Sequence, residues 1–171
     1  MDAMKAILTR RSVRKYTDEP VSEDNVKKLL EAAMSAPSAS NQQPWRFVVI
    51  DERQVLDAVP SVHPYARMLL QAPLAILVCG DLKIARRGGY WVQDCSAATQ
   101  NLLLAARALG LGAVWLGVHP REERIEGLRG LLSLPEHIIP LALISIGHPA
   151  VEQGPVDRYD ESRVCRNCWK D

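Results

Sequence analysis

Four cations and a hydroxyl fall within six residues at Arg10-Arg11-Ser12-Val13-Arg14-Lys15, in a chain whose formal net charge is only +1. A general basic coat would be spread along the chain, whereas this charge is local. Planar guanidinium groups hold phosphate oxygens two at a time, and a nearby hydroxyl adds a donor, so the arrangement suits one phosphate monoester better than a polyanion. A solvated basic helix end, favoured by the macrodipole, would use the same residues. The cluster follows a short helical pattern with Met4, Ile7 and Leu8 on one face and precedes Tyr16-Thr17-Asp18-Glu19-Pro20.

A second polar segment, Ala36-Pro37-Ser38-Ala39-Ser40-Asn41-Gln42-Gln43-Pro44-Trp45, lies between an amphipathic helix and the apolar run Phe47-Val48-Val49-Ile50. Proline restricts the backbone at both ends. Its hydroxyls and amides both donate and accept hydrogen bonds, which suits the edge of a heteroaromatic ring. Turns and helix caps employ the same residue types. Trp45 reads as a core anchor for the strand that follows.

Together, at this separation, the two segments resemble the nitroreductase family of flavin mononucleotide (FMN) enzymes. That family opens with an Arg-x-Ser-x-Arg phosphate motif, then a helix, then a Pro-Ser-x-x-Asn-x-Gln-Pro-Trp loop. The resemblance runs through the chain and is most specific in the first fifty residues. It implies that Arg10, Arg11, Ser12 and Arg14 grip the flavin phosphate. It implies that Pro37, Ser38, Ala39, Ser40 and Asn41, with Gln43, come from the other subunit and pack on the isoalloxazine ring. The stretch Ala113-Val114-Trp115-Leu116-Gly117-Val118-His119-Pro120 is similar to the family's strand end, where backbone amides, here at Leu116 and Gly117, approach flavin N5 and O4. Larger members carry an acidic residue before this glycine, and this chain lacks it. The tail over 157–163 resembles a basic segment that returns to the phosphate, with Arg158 the first choice and Arg163 the second. Where larger members place an amide and a lysine at the pyrimidine end, this chain has Tyr65 and Met68. Arg67 is either the substitute charge there or a solvent-facing arginine.

The elements that must position these residues are of both kinds. Ser22-Glu23-Asp24-Asn25 can cap a helix running to about Ser35, with Val26, Leu29, Leu30 and Ala33 on its buried stripe. Strands are expected over 45–50, 113–118 and 138–147. The run 74–79, closed by Gly80-Asp81, predicts a strand buried on both faces. Helices are expected near 52–58, 65–71, 91–109 and 121–132. The pattern is mixed helix and strand, and the resemblance implies an α+β fold: a mixed, mostly antiparallel central sheet with helices on both faces. A length of 171 residues allows one domain, 1–150; beyond it the composition turns polar, and the resemblance implies that 151–171 is a C-terminal extension packing on a partner subunit. The 91–109 helix is apolar nearly all round, so either sheet and flanking helices or a second subunit must cover it. The resemblance implies an intertwined homodimer with two FMN sites at the interface.

Near-neutral charge gives no reason to expect nucleic acid or membrane partners. The opening Met1-Asp2-Ala3-Met4-Lys5 lacks the apolar core of a signal peptide and no run approaches a membrane span, which predicts a cytoplasmic location. Four cysteines, Cys79, Cys95, Cys165 and Cys168, do not form a secreted disulfide framework. The lone Cys165-x-x-Cys168 reads as free thiols over a dithiol couple or half a zinc site, and no metal site is expected. Gly110-Leu111-Gly112 ends a helix instead of opening one, and no Walker A, HExxH or GxSxG motif occurs.

The resemblance implies an FMN-dependent oxidoreductase with NADH or NADPH as donor. Flavin N5 takes the hydride, and the electrons pass to an electron-poor acceptor, a nitroaromatic, a quinone or similar, by ping-pong turnover. The cofactor carries that chemistry, so no catalytic side chain is assigned. Two alternatives stand beside it: a flavin-binding protein without significant turnover, and a same-fold enzyme that fragments flavin or removes halide. The latter needs extra substrate-binding segments, for which the 81–90 stretch leaves little room.

Overall fold

The computed structural model describes residues 1–85, 88–151, 153–154 and 156–169. Parts of the expected 81–90 connection and of the 151–171 extension therefore lie outside the described residues. The described helices are α1 (Ala3–Thr9), α2 (Glu23–Met34), α3 (Arg53–Val62), α4 (Tyr90–Ala108) and α5 (Glu122–Leu132). The strands are β1 (Trp45–Ile50), β2 (Leu74–Asp81), β3 (Gly112–Gly117) and β4 (Ile138–Gly147), in the sheet order β1-β2-β4-β3 with every pairing antiparallel. The parallel component among the described residues is a bridge from Ser12 to Ala113.

Alternation along β2 decides the layers. Leu74, Ile76 and Val78 face α2 and α4, in one core with Leu29, Ala33, Leu102 and Ala106. Ala75, Leu77 and Cys79 face α3 and α5, in a second core with Leu56, Val59, Ile125 and Leu128. Side chains of a strand point to opposite faces, so a central strand with a helical layer on each side must be apolar throughout. All eight residues of β2 are buried. Among the described residues no helix is long and apolar enough to cross a membrane.

Several boundaries differ from those expected. α3 continues through Pro60 to Val62, because Leu56 and Val59 are anchored in the core and the proline removes only one backbone bond near the helix end. The helix expected over 65–71 is a 3-10 turn, Arg67–Leu70. Pro64 and Pro73 bracket it too closely for longer α-helical ladders. On α1 only Ala6 is buried, and Met4, Ile7 and Leu8 lie outward, exposed by 61%, 48% and 61%.

Register shifts between Val78 and Cys79 opposite Leu141, a bulge that also accommodates buried Pro140 in β4. The carbonyl of Leu141 accepts from both Val118 and His119 N–H, at 3.1 Å each. This irregularity turns the chain just past β3, where the candidate site opens.

Candidate functional site

Past α1 the chain is extended and lies along the outer edge of β3. Val13 N–H donates to Ala113 O at 3.0 Å, Thr17 N–H to His148 O at 2.9 Å, and Ala150 N–H to Lys15 O at 3.0 Å. The approach is tight: a Cβ on Gly112 would meet Val13 Cγ1 at 2.7 Å. Buried Tyr16 pins the segment from below. Its hydroxyl lies 2.7 Å from Val13 O and 3.2 Å from Ser145 O, and it can donate to either. Burial pushes its phenol pKa up to about 12, with the bond to Ser145 and the charge of Arg14 acting the other way.

Because the segment is extended, its side chains alternate in direction. Arg14 lines a cleft of about 420 Å³ with Trp115, Leu116 and Gly117 at the end of β3. Ser12 and Arg14 border a neighbouring hollow of about 290 Å³ with Gln153. Arg10 and Arg11 line a narrower pocket of about 140 Å³ with Arg107, and Arg11 also borders a hollow beside Arg158. Burial lowers the Arg10 pKa, and the like charges of Arg158 and Arg11 lower it further. Among the described residues neither Arg10, Arg11, Arg14 nor Arg158 has an acidic partner. Arg11 donates through Nη1 to Arg10 O at 2.8 Å, while its Nε and Nη2 are buried without a partner among the described residues. Mutually repelling guanidiniums with unspent donors fit a phosphate group. This is the chemistry the phosphate of FMN would require.

The β3 edge adds donors of another kind. Val118 N–H points to β4, whereas Ala113 O points the opposite way, to Val13. Backbone groups alternate along a strand, so the N–H groups of Trp115 and Gly117 lie on the outer edge facing the cleft, whereas Leu116, expected to offer its amide beside Gly117, turns its N–H to β4 opposite Leu143. A Cβ at Gly117 would meet nothing within 4 Å, so the packing of the protein does not itself require glycine there. The Gly117 carbonyl is held by His63 Nε2 at 3.0 Å and by Arg124 Nη1 at 2.7 Å. Burial lowers the pKa of His63, whose Nδ1 has no partner among the described residues. The neutral ring then carries its proton on Nε2 and donates to Gly117. The Arg124 guanidinium lies 5.2 Å from the centroid of the Tyr65 ring, and both line the cleft with Met68. Arg67 is exposed and does not line it.

Other expected residues lie elsewhere. The loop of Pro37, Ser38, Ala39, Ser40, Asn41 and Gln43 precedes β1, three strand spacings from β3, or roughly 14 Å. None of its residues lines the cleft of Arg14 and Gly117. Arg163 pairs locally with Asp160, at 2.9 Å, and His119 stands edge-on to Trp91 with ring centroids 5.0 Å apart. Cys165 and Cys168 are exposed free thiols. His63, Arg107 and Arg124 were missed in the sequence. Arg124 follows Glu122-Glu123 and reads as solvent-facing, and nothing local distinguishes His63.

A family model described as the nitroreductase family matches residues 7–64 and 52–148. The chain belongs to the nitroreductase family. A nitroreductase-family relative from Methanothermobacter thermautotrophicus, whose name pairs NADH dehydrogenase with NAD(P)H nitroreductase, is 51% identical over 99% of this chain and 88% of its own. A solved Parabacteroides distasonis protein with the same paired name superposes with a TM-score of 0.94, at 44% identity and 98% coverage of each chain. A Desulfovibrio desulfuricans structure in complex with FMN gives 0.86, at 36% identity and 99% coverage of each chain. Nitroreductase-like architecture, read first from two short motifs, thus extends over nearly the whole chain.

Proposed function

We propose that this protein is an FMN-dependent oxidoreductase that takes hydride from NADH or NADPH and reduces a flat, electron-poor acceptor. The observation that carries the reading is the arrangement along the outer edge of β3: guanidiniums without acidic partners among the described residues run from Arg10 and Arg11 beside its start to Arg14 beside its end, where outward strand amides face the cleft. Arg10, Arg11 and Ser12, joined by Arg158, bind the phosphate of the cofactor. Arg14 reaches into the cleft and meets the ribityl or pyrimidine side, while the Trp115 and Gly117 amides bind the ring edge. His63 and Arg124 fix the Gly117 carbonyl and so orient the strand end. When bound, FMN supplies two-electron chemistry at N5. Donor and acceptor then use the same cleft in turn, which gives ping-pong turnover.

The distance of the 37–43 loop from this cleft supports a homodimer in which each subunit closes the other's site. The outward apolar face of α1 supports the same arrangement, as an exposed patch of this kind suits an interface. The extension over 151–171 packs across the partner, and Arg163 changes partner if it reaches the phosphate. Anaerobic mixing with NADH or NADPH tests the reading: the flavin absorption band should bleach and return on addition of a quinone. A protein that retains FMN but shows no bleaching with either donor is a flavin-binding protein and not this enzyme.

A further inference from the structure

The 37–43 loop is held in a shape its own sequence does not favour. Ser40, Asn41 and Gln43 have left-handed backbone angles, with φ of 53°, 54° and 50°. None is glycine, and crowding at Cβ disfavours such angles, least for asparagine. Four bonds lie within the loop: Asn41 N–H to Ser38 O at 3.0 Å, Gln42 N–H to Ala39 O at 3.2 Å, and, both exposed, Gln43 N–H to Ser38 Oγ and Gln43 Nε2–H to Asn41 Oδ1 at 3.0 Å each. A further bond comes from outside. Ala39 N–H donates to Asp94 Oδ1 at 2.9 Å, and Asp94 is only 6% exposed.

Asp94 is conspicuous in its place. It stands on α4 beside Cys95 and Ala98, which belong to the apolar core. A carboxylate so enclosed is costly unless it holds donors, and among the described residues it makes no ion pair. Its charge strengthens the bond to Ala39, and α4 provides a rigid base. The far end of the loop is tied separately, by Asp81 N–H to Pro44 O at 2.8 Å.

We propose that Asp94 is a positioning residue that sets the 37–43 loop in the shape required to meet the flavin ring of the partner subunit. This rests on the reading that the loop closes that site. Fixing the strained shape before the cofactor arrives removes an ordering cost from binding.

The test uses full-length protein, with amide hydrogen exchange before flavin is added and titrations with FMN and riboflavin. In Asp94→Ala, amides 40–43 should lose about tenfold in protection while α4 keeps its own, and both flavins should bind about tenfold more weakly. Ala39→Pro deletes the donor without touching the core, and should behave alike. Ser38 already has the extended angles (φ −142°, ψ 151°) that suit a residue before proline. Asp94→Asn keeps an acceptor oxygen and should stay within about threefold of wild type. Unchanged loop protection in Asp94→Ala and Ala39→Pro overturns the proposal. So does a loosened loop with unchanged affinity, or a loss confined to FMN, which would mark a phosphate-side effect. Asn41→Ala separates the two ideas. If it weakens both flavins while Asp94→Ala does not, the loop still meets the ring and only the role of Asp94 is wrong; if neither variant weakens them, the loop reading itself fails.

Discussion

Replacing Tyr16 by Phe removes a single oxygen from the anchor beneath the arginine segment. The hydroxyl bonds Val13 O at 2.7 Å in a side chain only 7% exposed. Its loss leaves a carbonyl without that donor, at a cost of about 2 kcal/mol at neutral pH. For a chain of this length that lowers Tm by about 4–8 °C. The alkaline range gives a sharper signature. The Tyr16 pKa rises from 10.0 to about 12 in the folded protein, mainly through burial. The unfolded chain therefore loses this proton first, so the contribution is whole below pH 10 and is lost as pH climbs from 10 towards 12. Two units correspond to about 2.7 kcal/mol. Tyr16→Phe has no such proton, so the stability gap between wild type and variant should shrink towards zero over that interval. The buried thiols Cys79 and Cys95, also pushed up to about 12 by burial, weaken both proteins equally and cancel in the difference. Urea unfolding at several pH values between 8 and 11.5 measures the gap. A gap of constant size across that range would refute the assignment of Tyr16 as a buried, protonated clamp.

Arg14→Glu should reduce FMN affinity roughly 10- to 150-fold, the equivalent of one charge-assisted bond, with the circular dichroism spectrum unchanged. Separately, wild type should prefer FMN to riboflavin strongly through Arg10, Arg11, Ser12 and Arg158, and equal affinities would remove the phosphate assignment. Apparent stability should rise with protein concentration; an active, flavin-loaded monomer at nanomolar concentration in a sizing experiment would contradict the shared site. Truncation after Val151 should weaken flavin binding and dimerisation together, whereas Cys165→Ser with Cys168→Ser should leave turnover nearly unchanged. Full flavin occupancy in the truncated dimer, or loss of activity in the serine variant, would reverse those two expectations.

The fold was legible where apolar runs meet strong punctuation. The 74–79 run, closed by Gly80-Asp81, lies in a strand buried on both faces, and Ser22 accepts from Asn25 N–H at 3.3 Å to start α2. Legibility failed where tertiary packing overrode local signals, as in α3 past Pro60. At the site, the arginine cluster was visible as composition, but the direction of each side chain was not. That direction depends on the pairing of Ser12 and Val13 with Ala113, a contact across one hundred residues. Arg124 and His63 meet at a carbonyl because α3 and α5 pack side by side, which no short window encodes. The polar 37–43 loop was recognisable, whereas its separation from the arginines followed only from the strand order.

The outer side of β3 has a consequence for handling the protein. The arginine segment covers only the first part of that edge, as a fragment of a fifth strand would, and the amides of Trp115 and Gly117 face away from the sheet. Free amides along a strand are a template for another chain's backbone. On the proposed placement, the flavin ring would do for the open half what the arginine segment does for the rest, finishing the sheet with a non-peptide strand. Loss of flavin then bares an adhesive margin as well as emptying a redox site. Colourless preparations should consequently clump more readily than yellow ones at equal folded stability, and added FMN should serve as a solubiliser during refolding.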